Sequence, residues 1–362
     1  MIPENLPDYV DRGGRQVWRP PYTAAGAKLF GFVLDADAAA MDSLLHRDLN
    51  EPAGGAVDYR CAHSSVIVIF AAIDTLASGD PRDERRGCLS EREVSVWCLA
   101  ADATAGNRLV WYLPYVFVDA GQAVASGREV YGYPKQIGYF QDDYPEKLET
   151  GGRTTVWAPA INPYRKDTKA VPLAMLSADH QAAGGAPAAG GFSDLRELFS
   201  DGLDVRQDLP FGPAPRPSGA ITPIGAQPPR RVTASSVPAW AGRRVLDTLL
   251  GRGLIESAGD LIGEMTDNPT LVFLKQFRDV SCPTKACYQA IVEAPVAVHL
   301  STASYKGLAE QAFTLRVEDW DSHPIASELG LQPRSPLVPR LAFQAEFDFD
   351  IQLGLEVWRA PT

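Results

Sequence analysis

The chain has 362 residues, of which 45% are hydrophobic and 22% charged, and its formal net charge is −11 at pH 7. That length allows one large domain or two, and the apolar content can fill a sizeable core. The acidic balance argues against nucleic acid, which needs a basic surface to displace counterions.

Met1–Asp8 has neither a basic nor an apolar leader region, so no secretory signal is expected and a cytoplasmic location is. Five cysteines, an odd number, fit a reducing compartment better than a disulfide framework. The spacing predicts a helix over Asp35–Leu49, capped by Asp35 or Asp37 and followed by Pro52. Runs rich in Val, Ile, Phe and Trp predict strands over Ser65–Ile73, Val94–Leu99, Leu109–Val118, Thr154–Trp157, Thr270–Phe277 and Tyr288–Leu300. The run Val66–Ile73 is far shorter than the about 20 residues a membrane helix needs, so no membrane partner is expected.

Ala182–Gly191 is low-complexity and reads as a loop, and Leu209–Pro229 is too rich in Pro and Gly for a central strand. Ser193–Phe199, Ala239–Leu250 and Ser257–Met265 have helical patterns. About Ala178–Met265 is therefore expected to be an insertion in a single β-rich domain spanning 1–362. Cys282 and Cys287 have no further ligand pair at zinc spacing, and none of the five histidines has metal-ligand spacing. From Phe343 to Val357 apolar residues alternate with mostly acidic ones, which predicts one long strand with an apolar and an acidic face.

One stretch carries a chemical signal. It reads Asp119-x7-Gly127-Arg128-Glu129-x3-Tyr133-Pro134-Lys135-Gln136-x-Gly138-Tyr139, after a strand. A lysine of ordinary pKa, about 10.4, is protonated at neutral pH and cannot attack a carbonyl. Burial or a neighbouring cation frees the amine. Tyr131, Tyr133, Ile137, Tyr139 and Phe140 are available to wall a pocket around it. The plainer reading leaves Lys135 as one solvated residue among 34 basic ones.

The block resembles the lysine motif of the acetoacetate decarboxylase family, whose first lysine after the proline forms a Schiff base with a ketone. The resemblance implies that role for Lys135. Gln136 stands where the family has a second lysine, so burial must do most of the activation here. Gly87-Cys88-Leu89-Ser90-Glu91 is similar to the family's Gly-Cys-Tyr-Thr-Glu and implies Glu91 as an active-site carboxyl. Glu93 is the alternative, and a solvated strand edge is the plain reading of both. Trp18-Arg19-Pro20-Pro21-Tyr22 is similar to Pro-Arg-Gly-Pro-Tyr and implies Arg19 near the substrate. The family's following Arg-Glu pair is Ala27-Lys28 here, so Lys28 is the cation left to hold a carboxylate, without the planar fork of arginine. Arg128 and Tyr133 complete the expected substrate-binding set. Arg128 and Glu129, if in a strand, point to opposite faces.

Lys275–Asp279, Thr314–Trp320 and the final strand also fall in family order. The resemblance implies a mainly β (α+β) fold, an antiparallel cone-like β-barrel with a few flanking helices, assembled as a homo-oligomer. It implies a cofactor-independent Schiff-base lyase acting on a β-keto acid, most directly a decarboxylase. An aldolase, dehydratase or cyclase on another keto acid is the alternative, and a non-catalytic small-molecule binding barrel is the second.

Overall fold

The structure is a computed structural model and describes residues 6–12, 17–181, 189–190, 268–333 and 335–361. Its strands are β1 (Tyr22–Asp35), β2 (Tyr59–Ser78), β3 (Cys88–Asp102), β4 (Arg108–Val118), β5 (Lys135–Ile137), β6 (Gly152–Ala160) and β7 (Val171–His180). They continue as β8 (Ala189–Gly190), β9 (Thr270–Arg278), β10 (Ala286–Leu308), β11 (Phe313–Val317), β12 (Leu341–Ile351) and β13 (Leu355–Arg359). The helices are short: α1 (Ala38–Leu45), α2 (Gly121–Ser126), α3 (Lys147–Thr150) and α4 (Ile325–Glu328). None of the described helices is long and apolar enough to cross a membrane.

The fold is mainly β, as expected. In the large sheet β12, β1, β2, β3 and β4 are successive antiparallel neighbours, and β9, β10 and β13 follow. β10 also pairs with β12, so the pairings return to where they began. A second sheet of three strands runs β11–β7–β6. The antiparallel expectation holds with two exceptions: β4 meets both β5 and β9 in parallel. The β4–β9 contact is only two residue pairs long, Trp111–Leu271 and Tyr112–Val272.

Alternation along the strands separates two buried clusters. On β1, Phe30, Phe32 and Leu34 face one cluster, while Ala27, Leu29 and Val33 face the other. The first cluster takes in Met41 and Leu45 of α1, Leu148 of α3, Ile325 of α4 and the second sheet, so it is the helix side. The second holds side chains of the large sheet together with Tyr131 and Tyr133. Burying each such large apolar side chain stabilises by about 1.5–3 kcal/mol, so the large sheet is held from both faces.

Several sequence expectations are corrected in detail. The first helix starts at Ala38, where the Asp37 carboxylate accepts the Ala40 N–H at 2.8 Å; Asp35 belongs to β1. The long C-terminal strand is two strands, broken at Gln352–Gly354. A side chain at Gly354 would press on Val292 and Tyr131. Within β12 the alternation is as read: Phe343, Ala345, Phe347, Phe349 and Ile351 face the second cluster. β1 and β7 carry weak strand signals, because Gly and Ala dilute one and Pro and polar residues the other. Of the expected insertion, Ala178–His180 end β7. The loop and helix expectations between Gln181 and Met265 lie outside the described residues, Ala189–Gly190 excepted.

Gly31 is where β1 and β12 close on each other. It sits opposite Phe343, and a methyl there would lie 2.1 Å from the Phe343 ring. Gly31→Ala is expected to lose about 1–3 kcal/mol by overpacking. Phe343→Leu added to it should recover part of the loss, read as a non-additive pair in urea titrations. Simple additivity would show that the ring moves aside freely.

Candidate active site

The site begins with the segment that delivers Lys135. β4 ends at Val118, and α2 turns the chain back. The helix then widens: the Gly127 carbonyl accepts the Gly132 N–H at 3.0 Å and the Tyr133 N–H at 3.1 Å. Such wide turns recur at functional sites. Gly132 has φ +89°, and a Cβ there would lie 2.6 Å from the Lys275 backbone, so only glycine makes this exit. Pro134 follows, and Lys135 opens β5 beside Val116. Arg128 and Glu129 are thus in a helical turn, not a strand.

The lysine stem packs on that turn. A methyl at Gly127 would come within 2.9 Å of Lys135 Cδ, so the small residue makes room for it. Its Nζ lies 5.6 Å from the centre of the Tyr133 ring. Nζ donates to Glu91 Oε1 at 2.7 Å and stands 3.5 Å from Glu93 Oε2. Glu91 and Glu93 are two apart on β3, so strand alternation points both the same way. Glu91 is 1% exposed and Lys135 8%. Glu93 keeps some solvent contact. Glu91 Oε2 is buried with no hydrogen-bond partner among the described residues, an uncommon state for a carboxylate oxygen.

Burial pushes the Glu91 pKa up to about 7, opposed by the Lys135 charge and helped by Glu93. Burial works to lower the Lys135 pKa, but attraction to Glu91 and Glu93 outweighs it and leaves the amine more basic than an ordinary lysine. The expectation that burial would free the amine is therefore corrected: two carboxylates hold its proton. What the arrangement offers instead is a short transfer path from Nζ to a carboxylate whose affinity for protons is high.

Lys135 lines a small pocket that opens to solvent. Tyr133, Trp18, Tyr22, Leu76, Leu89, Tyr131 and Ile351 line it too, whereas Glu91 and Glu93 stand behind the amine, outside the lining. Of the five residues expected to wall it, Tyr131 and Tyr133 do; Phe140 packs on the helix side, and Ile137 and Tyr139 are not in the lining. The missed wall residues are single apolar side chains scattered over the chain, and no local pattern marks them.

The expected substrate-binding cations are elsewhere. Arg19 is held in ion pairs with Asp83 and Asp11 and does not line the cavity. Lys28 is on the helix-side face of β1 beside Phe30 and pairs with Glu149 at 2.8 Å. Ala27, on the other face, belongs to the cluster that surrounds the cavity. Arg128 is exposed and donates to the Lys135 carbonyl at 3.3 Å, which steadies the backbone at the lysine. Gln136 points away from the amine: its Oε1 meets His323 Nε2 at 2.9 Å, with Ser322 Oγ on Nδ1. Burial lowers the His323 pKa, which suits a neutral ring donating to Gln136 and accepting from Ser322.

No protein-family model matches the sequence, and no curated protein does. Among solved structures, acetoacetate decarboxylase from Legionella pneumophila subsp. pneumophila str. Philadelphia 1 is similar at a TM-score of 0.51 and 10% identity, covering 99% of this chain and 94% of that one. An acetoacetate decarboxylase-like enzyme from Sphingomonas wittichii RW1 aligns at a TM-score of 0.47 and 12% identity, over 93% of this chain and 92% of that one. The enduracididine biosynthesis enzyme MppR, complexed with the condensation product of pyruvate and imidazole 4-carboxaldehyde, aligns at 0.47 and 12%, over 96% and 91%. The chain has the acetoacetate decarboxylase fold, as the resemblance of the lysine block implies.

The buried pair predicts a pH-dependent cost. The folded-state pKa of Glu91 lies above the ordinary glutamate value of about 4.3, so its contribution to stability is full below that value and is lost as pH rises through about 7. Lys135→Met removes the compensating charge and lifts the Glu91 pKa further. The variant should therefore lose more stability at pH 8 than at pH 5, approaching about 3–5 kcal/mol at pH 8. Urea titrations at the two pH values check this; equal losses would mean that Glu91 is neutral throughout.

Proposed function

We propose that this chain is a Schiff-base enzyme, a lysine-iminium lyase, and that its reaction is decarboxylation of a β-keto acid. The observation that carries the reading is the 2.7 Å contact between a buried carboxylate of raised pKa and a buried lysine amine whose side chain lines an aromatic pocket. We also read the closed circuit of strand pairings as the cone-like barrel expected of the family, and the full chain, with its segment at about 178–265, as one domain. A cytoplasmic location and assembly as a homo-oligomer belong to the same reading.

Chemistry follows from the proton positions. Lys135 Nζ passes a proton to the Glu91 carboxylate, and the neutral amine adds to the substrate carbonyl carbon. The carbinolamine oxygen takes one proton from the adding nitrogen and one from Glu91 and leaves as water, forming the iminium. Electrons of the bond to the β-carboxylate flow into the iminium, CO2 departs and an enamine remains. A proton on Glu91 then goes to the enamine carbon, and water hydrolyses the new iminium to free the ketone and the amine. One proton is taken up for each CO2 released. Glu93, the better exposed of the two carboxylates, is placed to relay it from solvent.

One observation favours a second reading. Among the described lining residues there is no arginine to grip a substrate carboxylate. An aldolase or dehydratase that uses the same iminium for C–C or C–O chemistry needs no such grip. CO2 release from a β-keto acid separates the two. A non-catalytic binding barrel is the remaining alternative, and iminium formation separates it from both.

Incubation with acetoacetate, acetopyruvate or pyruvate followed by borohydride should place a reduced adduct on Lys135, mapped by peptide mass. Lys135→Arg should abolish it, because arginine stays protonated. An adduct on another lysine, or none with any ketone tried, would falsify the Schiff-base reading.

Glu91→Gln separates the two halves of the cycle. Without that carboxylate, burial is less opposed and the Lys135 pKa falls, so the adduct should still form, more slowly because its proton carrier is gone, and extend to lower pH. Turnover should drop about 10²–10⁴-fold, the usual contribution of a positioned acid or base. Unchanged turnover would move the proton role to Glu93.

A further inference from the structure

The cavity walls bear on what the iminium carries. Among the described residues that line the cavity, Lys135 is the one with a charge, and that charge already faces Glu91 and Glu93. Two of the three lining tyrosine hydroxyls are committed to the backbone: Tyr22 donates to the Trp18 carbonyl at 2.7 Å and Tyr131 to the Gln352 carbonyl at 2.9 Å. Ser126 Oγ accepts the Trp18 N–H at 3.4 Å, and Gln122 is exposed. Beside the amine and the neutral Tyr133 phenol, the interior therefore presents ring surface and the aliphatic groups of Leu76, Leu89 and Ile351.

Lys28 and Arg19, which a distal carboxylate might have used, are tied to acidic partners away from the lining. A substituent with a negative charge would lose its water here and gain no counter-charge. An apolar one would gain about fourfold in affinity for each methylene buried.

We propose that the cavity selects carbonyl compounds whose substituent remote from the reacting carbon is uncharged and apolar, an aryl or branched alkyl group. This rests on the Schiff-base reading for the reacting end only; the wall's preference is a property of the cavity itself. A β-carboxylate next to the iminium is compatible with it, because the iminium is then its counter-ion until CO2 leaves.

Three methyl ketones that differ only at the far end test it on the full chain: 4-phenyl-2-butanone, 2-butanone and 4-oxopentanoate. Borohydride trapping on Lys135 should half-saturate at a concentration at least tenfold lower for the phenyl compound than for 2-butanone, and highest for 4-oxopentanoate. Ile351→Arg should raise the 4-oxopentanoate adduct at least tenfold relative to the phenyl one. In parallel, calorimetry with 4-phenyl-2-butanol, which cannot form an iminium, should show binding to the unaltered protein. Adducts with no preference, or with 4-oxopentanoate favoured, overturn the proposal and leave the Schiff base standing. Binding of the alcohol with no adduct from any ketone does the reverse: it supports the apolar cavity and sinks the Schiff base. Neither adduct nor binding overturns both.

Discussion

Everything at this site depends on one buried contact, a lysine amine against a glutamate carboxylate that water scarcely reaches. Neither charge could be buried there alone without a large desolvation cost. Together they hold a proton between two atoms 2.7 Å apart, and the surrounding chain keeps that distance. β3 carries Glu91 in the middle of the large sheet, paired to β2 on one side and β4 on the other. Gly127 gives the lysine stem its place, and Arg128 steadies the backbone behind it.

The second carboxylate changes the character of the pair. Burial works against the charge on the amine, and Glu91 and Glu93 together outweigh it, while Glu93 also raises the Glu91 pKa. On the proposed Schiff-base reading, the amine is therefore not permanently free and acts once its proton has moved across the hydrogen bond to Glu91.

The sequence made the floor of the site legible and left the walls obscure. Lys135 and Glu91 each sit in a contiguous block of residue types that serve one place. Glu93 reads from the sequence as the alternative to Glu91, whereas strand alternation brings both to the amine. Lys28 shows the limit: it is next to Ala27 in the chain, but the same alternation puts it on the opposite face of β1. Gln136 was read as a neighbour of the amine, although β5 turns it toward His323. Leu76 and Leu89 are partners across the β2–β3 pairing, Ile351 lies opposite Tyr22 on β12, and each alone is an ordinary apolar residue. The C-terminal alternation runs unbroken through Gln352–Gly354 and so reads as one strand, although the chain leaves the ladder there, where a side chain at Gly354 would meet Val292 and Tyr131. Nothing in the local pattern distinguished the parallel β4–β9 contact from an antiparallel one.

The wide turn after α2 places Lys135 and the rings of Tyr131 and Tyr133 on a single short stretch of chain, with Ala123 and Ser126 of α2 beside them, whereas the rest of the wall comes from Trp18, the start of β1, the ends of β2 and β12, and the start of β3. Leu76, Leu89 and Ile351 lie near strand ends, where substitutions disturb few neighbours in the sheet. On the proposed Schiff-base reading, such a layout lets the accepted carbonyl compound change through the strand ends while the turn that carries the lysine stays as it is.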